Sequence, residues 1–388
     1  MSPGDARMSI DAPKLDIDHL LDDPSIRIIV CTGAGGVGKT TTAAALALRA
    51  AERGRRVCVL TIDPARRLAQ AMGLDQLDNV PRPVDGIEGT GTLSAMMLDM
   101  KRTFDEVVEA HAEPEKAAAI LANPFYQVLS SSFAGTQEYM AMEKLGQLRA
   151  QADADGSWDL IVVDTPPSRN ALDFLDAPAR LGSFLDGRLI RILTAPARGA
   201  GRGLGQIMAA GFGLFTSTLG KVLGGQVLAD VGTFVAAIDT TFGGFRERAE
   251  ATYQLLQDSG TSFVVVATPE RDALREASYF VERLRSDAMP LAGLVLNRVQ
   301  PVALTEVSEQ QALAAADRLS EGDDLDRLTA AMLSLHAPRQ QLAARQRHLA
   351  ERFTAAHPGV SAVTVPALAE DVHDLAGLRE VGALIATS

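Results

Sequence analysis

Residues 27–41 read RIIVCTGAGGVGKTT, and this stretch decides the fold. Its first part, Arg27–Thr32, is an apolar run of the length and composition of a buried strand. Residues 33–40, GAGGVGKT, match the phosphate-loop pattern G-x-x-x-x-G-K-[ST] in full. An alanine-rich helix, Thr41–Ala51, is predicted directly after the loop. A strand, a glycine-rich loop and a helix in this order predict a P-loop nucleotide-binding fold.

The residue types in this loop fit the chemistry of phosphate binding. Glycines let the backbone turn so that its N–H groups point inward at a phosphate. Lys39 can reach the β- and γ-phosphates, and the Thr40 hydroxyl can bind Mg²⁺. We therefore predict that ATP and Mg²⁺ are the ligands. The predicted nucleotide-binding residues of the loop are Gly35, Gly36, Val37, Gly38, Lys39, Thr40 and Thr41, and Lys39 is also a predicted catalytic residue.

Short apolar runs alternate with helical stretches along the rest of the chain, which is typical of a mostly parallel α/β sheet flanked by helices. The other predicted strands are Val57–Ile62, Thr92–Leu98, Asp159–Val163, Ser262–Ala267, Leu291–Leu296 and Ala362–Val365. Long helical intervals are predicted over Lys101–Gln151, Ala177–Leu256 and Ser308–Ala356, and the acids at 321–326 are expected at a solvated helix boundary. We expect a disordered acidic tail (1–25), a P-loop ATPase core (26–100, 155–176 and 257–388) and a helical insertion subdomain (101–154 and 177–256).

Two of the predicted strands are followed by an aspartate. Asp164 ends the sequence DLIVVD, a Walker-B pattern, and is predicted to hold Mg²⁺ through water while Thr40 binds the ion directly. Asp63 follows the strand Val57–Ile62 and faces the same edge of the sheet. It is a candidate for orienting or deprotonating the attacking water. A helix N-cap before Pro64 explains Asp63 nearly as well, and a turn is the alternative role for Asp164.

The composition excludes several functional classes. The chain has 388 residues, with 37 basic and 49 acidic side chains and a net charge of −12, which disfavours nucleic acid as a partner. Its two cysteines, Cys31 and Cys58, cannot form a four-cysteine zinc site, so no zinc is expected, and they are predicted to be small core residues. The first 25 residues lack the apolar segment of a signal peptide. We expect a cytoplasmic protein, with peripheral membrane contact as an alternative.

Six motifs together resemble those of the ArsA-type and tail-anchored-protein-targeting ATPases, the anion-transporting ATPase family. They are GAGGVGKT (33–40), DPA (63–65), DTPP (164–167), VVATPE (265–270), LVLNR (294–298) and VTVPALAE (363–370). The resemblance implies a dimeric ATPase with a deviant Walker A loop. It also implies that Asp63 activates water and that Asn297 and the loop containing Pro366 contact adenine.

Ala34 departs from this family pattern, because it stands where the family has a lysine that reaches the phosphates of the partner subunit. One hypothesis is a heterodimer in which a sister ATPase supplies the lysine, instead of a homodimer. Another is replacement by Arg66 or Arg169. A third is weak hydrolysis, with ATP acting mainly as a clamp. The CxxC pair that closes a zinc-bridged dimer in the targeting branch is also absent from the sequence.

The interval 187–229 contains five basic residues and no acid, and its longest uncharged stretch is Gly203–Gly220. It predicts a helical subdomain with its own core, a groove for a hydrophobic client, or a surface that faces a membrane or a membrane protein. The leading functional hypothesis is an ATPase that couples nucleotide state to a conformational change, which handles a hydrophobic client or membrane partner. The alternative is a hydrolysis-poor, ATP-binding subunit paired with a catalytic sister.

Overall fold

The computed structural model describes residues 10–63, 67–123, 126–127, 136–165, 245–302, 304 and 306–387. These residues fall into two compact units. The first contains residues 10–97, 152–165 and 255–387, and the second contains the described parts of 98–151 and 245–254. The interval 187–229, Arg66 and Arg169 lie outside the described residues, so the hypotheses about them stay predictions.

Eight strands form one sheet in the first unit. In chain order they are β1 (Ile28–Thr32), β2 (Arg56–Thr61), β3 (Arg82–Pro83), β4 (Thr92–Met97), β5 (Leu160–Asp164), β6 (Thr261–Ala267), β7 (Leu291–Val299) and β8 (Ala362–Pro366). Their order across the sheet is β3-β4-β2-β5-β1-β6-β7-β8, and every pair is parallel except β3 with β4. The predicted α/β class is confirmed, and each predicted strand is present. The short antiparallel strand β3 was not predicted.

The described helices are α1 (Ile17–Asp22), α2 (Lys39–Glu52), α3 (Arg67–Ala71), α4 (Met100–His111), α5 (Pro114–Leu121), α6 (Thr136–Asp155), α7 (Phe245–Gln257), α8 (Arg271–Ser286), α9 (Glu309–Leu319), α10 (Asp324–Ala356) and α11 (Leu375–Ala386). Among these residues, we find no helix with both the length and the hydropathy of a membrane span. The interval predicted as helical from Ser308 contains two helices, because Ser308 and Asp323 each cap a separate helix start. The acids between α9 and α10 lie at this boundary, as predicted.

Apolar residues on both faces of the central strands explain why this sheet is buried. All residues of β1 and β5 are buried, and α2 packs its alanine-rich surface beside the sheet and α11. Cys31 and Cys58 are buried within β1 and β2, so both occupy core positions as predicted. Burial raises the pKa of the Cys31 thiol, which makes it a poor thiolate donor to a metal.

The structure differs from the predicted disordered tail at residues 10–25, where α1 forms. Ile17 and Leu21 on this helix are fully buried in the core of the first unit. An acid on the same helix, Asp18, accepts two hydrogen bonds from the Arg49 guanidinium of α2 at 2.6 and 2.7 Å. The acidic composition predicted a solvated segment, but Asp18 and Asp22 are paired with Arg49 and Arg53.

Candidate nucleotide site

The loop between β1 and α2 lies at the carboxyl edge of the sheet, and its glycines are required by their surroundings. Gly38 precedes α2 with φ +96°, and a Cβ atom there would lie 2.3 Å from the Asn297 amide nitrogen. Gly33 has φ +151°, and a Cβ atom would lie 2.0 Å from the Val266 carbonyl oxygen. Neither position accommodates a side chain, so the loop keeps its backbone close to β6 and β7.

Lys39 is the first residue of α2 and is buried within the loop. Its Nζ donates hydrogen bonds to the carbonyl oxygens of Gly33 at 3.0 Å and Ala34 at 2.8 Å. Burial lowers the pKa of Lys39, and the charges of Asp164 and Asp63 oppose that shift. The ammonium group therefore lies inside the loop that is predicted to hold phosphates.

Asp164 ends β5 and joins the loop to β2. Its Oδ2 accepts hydrogen bonds from the hydroxyls of Thr40 at 2.7 Å and Thr61 at 2.8 Å. Complete burial raises the pKa of Asp164 to about 6, although both hydroxyls and Lys39 favour the charged form. The other oxygen, Oδ1, is buried and has no hydrogen-bond partner among the described residues. A buried acceptor of this kind is costly unless a further donor reaches it.

This arrangement fits Mg²⁺ as the metal. Mg²⁺ prefers oxygen ligands and usually keeps several of its waters. Thr40 lines the cavity described below, and Oδ1 of Asp164 is a buried acceptor without a partner among the described residues. The described residues contain no cluster of three or more His, Cys, Asp or Glu side chains that could bind a metal ion. One threonine and one carboxylate therefore suit an ion that keeps most of its waters.

Asp63 lies two residues after the end of β2 and lines the same cavity as Lys39 and Thr40. Its backbone N–H donates to the Thr61 hydroxyl at 3.2 Å, so the threonine that binds Asp164 also positions the start of this segment. Residues 64–66 lie outside the described residues. The two roles of Asp63, as a helix cap and as a water-orienting carboxylate, therefore stay predictions.

The opposite side of the loop contacts the end of β7. The Asn297 side chain donates to the Val37 carbonyl oxygen at 2.9 Å, and the Arg298 guanidinium donates to the Gly36 carbonyl oxygen at 3.2 Å. Arg298 has φ +57°, and the pairing of β7 with β8 shifts register between Leu296 and Val299. This irregularity turns consecutive side chains toward the loop. The sequence analysis missed Arg298, because a register shift leaves no clear pattern in a single sequence.

One cavity of about 820 Å³ brings most of the predicted residues together. Its lining includes Gly36, Gly38, Lys39, Thr40, Thr41, Asp63, Asn297 and Pro366. Three predicted residues, Gly35, Val37 and Asp164, lie outside that lining, and Asp164 accepts a hydrogen bond from the lining residue Thr40. The lining residues that the sequence analysis missed include Leu68, Gln70, Ala71, Thr165, Arg298 and the acids Glu370 and Asp371. The volume is typical of a site for a small molecule.

Comparison with known proteins gives relatives that share most of their length with this chain. It is 29% identical to "ATPase GET3" of Podospora anserina over 74% of this chain and 78% of the relative. It is 28% identical to the protein of the same name from Malassezia globosa, over 74% of this chain and 77% of the relative. For the Neurospora crassa protein the identity is 27%, over 73% of this chain and 76% of the relative.

The sequence profile described as anion-transporting ATPase matches residues 26–321. The match includes the phosphate loop, Asp63, Asp164 and Asn297, which the structure places around one sheet edge. It covers well over half of the chain, and it agrees with the resemblance seen in the motifs. The chain belongs to the anion-transporting ATPase family.

Proposed function

We propose that this chain binds ATP with Mg²⁺ and hydrolyses the terminal phosphoanhydride bond. The observation that carries the proposal is the contact of Thr40 and Thr61 with one buried carboxylate, Asp164, directly behind the loop that contains Lys39. Thr40, which lines the cavity, and the Asp164 oxygen without a partner among the described residues would supply the two positions that hold Mg²⁺ in P-loop enzymes.

The side chains divide the proposed reaction among them. Loop N–H groups and Lys39 bind the phosphate oxygens, and Lys39 exchanges its carbonyl partners for them. Asp63 orients the attacking water and accepts its proton. Thr40 would hold Mg²⁺ directly and Asp164 through water. The bound ion would neutralise phosphate charge. Asn297 and Pro366 are proposed to contact adenine.

Phosphate release by the purified chain tests this proposal. We expect Asp63→Asn to lower kcat by at least about 100-fold while ATP binding is retained, because the water loses its base. Asp85→Asn is the matched control, since Asp85 is an exposed aspartate outside the cavity lining. Equal rates in the two variants would contradict the role of Asp63.

The proposal extends to coupling between nucleotide state and conformation. The segments after Asp63 and Asp164 would respond to hydrolysis and change the helical insertion (101–154 and 177–256). The partner would be a hydrophobic client or a membrane protein, met in the cytoplasm or at a membrane surface. A test compares binding of an apolar helical peptide in ATP and in ADP. Equal affinities in the two nucleotides would contradict the coupling.

Ala34 supports a second candidate function, a hydrolysis-poor ATP-binding subunit in a dimer with a sister ATPase. The buried Ala34 side chain is a methyl group, and its carbonyl oxygen accepts a hydrogen bond from Lys39. It carries no charge that could reach a partner's phosphates. We expect slow hydrolysis by the chain alone in this case, and activation when a second P-loop subunit co-purifies from the native cell. Fast turnover by a homodimer would exclude this candidate.

A further inference from the structure

Four large apolar side chains lie exposed on one face of α10. Leu325 is 70% exposed, Leu328 59%, Met332 65% and Leu335 63%. Their spacing of three, four and three residues places them along one stripe of the helix, as in a coiled-coil seam. We call this set the α10 stripe. None of its members lines the nucleotide cavity.

The α10 stripe borders the face by which this helix packs onto the rest of the first unit, and its own members stay exposed. Ala330 and Ala337 are buried on that packing face, and α9 packs against α10. The His336 ring contacts the carbonyl oxygen of Val307 at 3.0 Å and anchors the same part of the helix. The stripe therefore contributes little to the stability of the single chain. Exposed apolar stripes of this kind are typical of interaction surfaces.

The four apolar residues of the α10 stripe are spaced symmetrically about position 330. Leu325 and Leu335 lie five residues to either side, and Leu328 and Met332 lie two residues to either side. Two antiparallel copies of the helix would therefore place Leu325 opposite Leu335 and Leu328 opposite Met332, twice across a two-fold axis. A surface that matches itself in this way is what an isologous dimer requires.

One charged residue beyond each end of the α10 stripe also favours antiparallel pairing. Glu321 lies in the turn before α10, Arg339 lies one turn beyond Leu335, and both are exposed. An antiparallel pair brings each Glu321 near the Arg339 of the second copy, whereas a parallel pair brings like charges together. Opposite charges at the rim of an apolar seam fix its direction and register.

We propose that the α10 stripe binds the α10 stripe of a second copy of this chain, antiparallel, with Glu321 and Arg339 paired at each end. The seam is short compared with the roughly 800 Å² that each partner buries in a standard interface. The association is therefore weak and depends on protein concentration. It requires neither nucleotide nor hydrolysis, so it is independent of the proposed function.

Sedimentation velocity on the full-length chain without nucleotide tests the seam. Up to about 100 µM chain, we expect the mean mass of the native chain to rise with concentration and that of Met332→Glu to lack the part of this rise that the seam causes. Tyr279→Glu is the matched control, because Tyr279 is 56% exposed on α8, away from the stripe. Equal masses for Met332→Glu and the native chain would overturn the proposal and leave a helix of another protein as the occupant.

Charge exchange tests the direction of pairing. We expect Glu321→Arg alone and Arg339→Glu alone each to raise the dissociation constant at least about tenfold, because each places like charges at both ends. A mixture of the two single variants restores both pairs and should associate as the native chain does. The double variant should behave likewise. Failure of both the mixture and the double variant to restore association would overturn the antiparallel arrangement.

Discussion

At the scale of single residues, the raised pKa of Asp164 makes the free energy of unfolding depend on pH. Burial raises that pKa to about 6 from 3.8, so between these values the folded protein binds more protons than the unfolded chain. The contribution of this carboxyl to the free energy of unfolding therefore falls as pH rises from about 4 to 6, and is constant at higher pH. Without a metal, the ionised carboxylate destabilises the fold.

We predict that Asp164→Asn removes this dependence. Relative to the variant, the metal-free native protein should lose on the order of 2 kcal/mol of unfolding free energy between pH 4 and pH 6.5. Urea unfolding in a chelator measures this, with the fluorescence of Trp158, the one tryptophan, as the signal. The two proteins are compared by how their unfolding free energies change with pH, because asparagine also alters the hydrogen bonds at every pH. If the unfolding free energies of the two proteins changed in parallel with pH, this would contradict a pKa of Asp164 that burial raises.

A second residue-scale prediction concerns the close contact between Gly38 and Asn297. Gly38→Ala should cost about 1–2 kcal/mol for the left-handed backbone and on the order of 1 kcal/mol more for the displaced Asn297 amide. Gly36→Ala is the matched control, because Gly36 has φ +78° and a Cβ atom added there would meet no atom within 4 Å. In an Asn297→Ala background, the cost of Gly38→Ala should fall to that of Gly36→Ala. An unchanged cost in that background, measured by urea unfolding, would exclude this contact as the cause.

At the scale of elements, one buried arginine connects α1 to the sheet. The Arg55 guanidinium donates to the Leu21 and Ile26 carbonyl oxygens at 3.1 and 2.7 Å, and to the Asp159 carboxylate at 3.0 Å. These partners lie before β1 and at the start of β5, so a single side chain links two segments that are distant in sequence. The segment from α1 to β1 therefore depends on Arg55 for its position.

We predict that Arg55→Met destabilises the protein by about 2–4 kcal/mol, because the Leu21 and Ile26 carbonyls lose their donor and Asp159 loses one of its two arginine partners. Arg56→Met is the matched control. Its side chain is 53% exposed and reaches the same Asp159 at 3.5 Å, so we expect a cost of about 1 kcal/mol or less. Urea unfolding of the two variants measures both values. Equal costs would show that the contacts of Arg55 do not hold α1 in place.

The same elements show how far a sequence predicts this fold. Buried parallel strands such as β1 are continuous apolar runs, which a single sequence reveals directly. β3 has two residues and one is Pro83, so no periodicity could reveal it. α1 was missed because its acids indicated a solvated tail, and their arginine partners lie some 30 residues away. Contacts distant in sequence, including that of Arg298 with the loop, were the part that could not be predicted.

At the scale of the whole molecule, the net charge of −12 opposes the approach of an anionic nucleotide. The phosphate loop compensates locally, because Lys39, Arg298 and the N-terminus of α2 lie at one cavity. Two acids, Glu370 and Asp371, line the same cavity. ATP binding therefore depends on the local arrangement of the loop and not on attraction by the whole surface.

This arrangement predicts where bound ATP stabilises the protein. The cavity lining and Trp158 both belong to the first unit, so Trp158 fluorescence reports the unfolding of the unit that binds nucleotide. At ATP–Mg²⁺ concentrations about 100 times the dissociation constant, the unfolding free energy should rise by about 2.7 kcal/mol. Lys39→Met should abolish this rise, because the ammonium inside the loop is lost. Lys116→Met, which removes an exposed lysine of the second unit, should keep it. The proposed site would be wrong if ATP–Mg²⁺ did not raise the unfolding free energy of the native protein. It would also be wrong if ATP–Mg²⁺ raised that of Lys39→Met by the same amount as in the native protein.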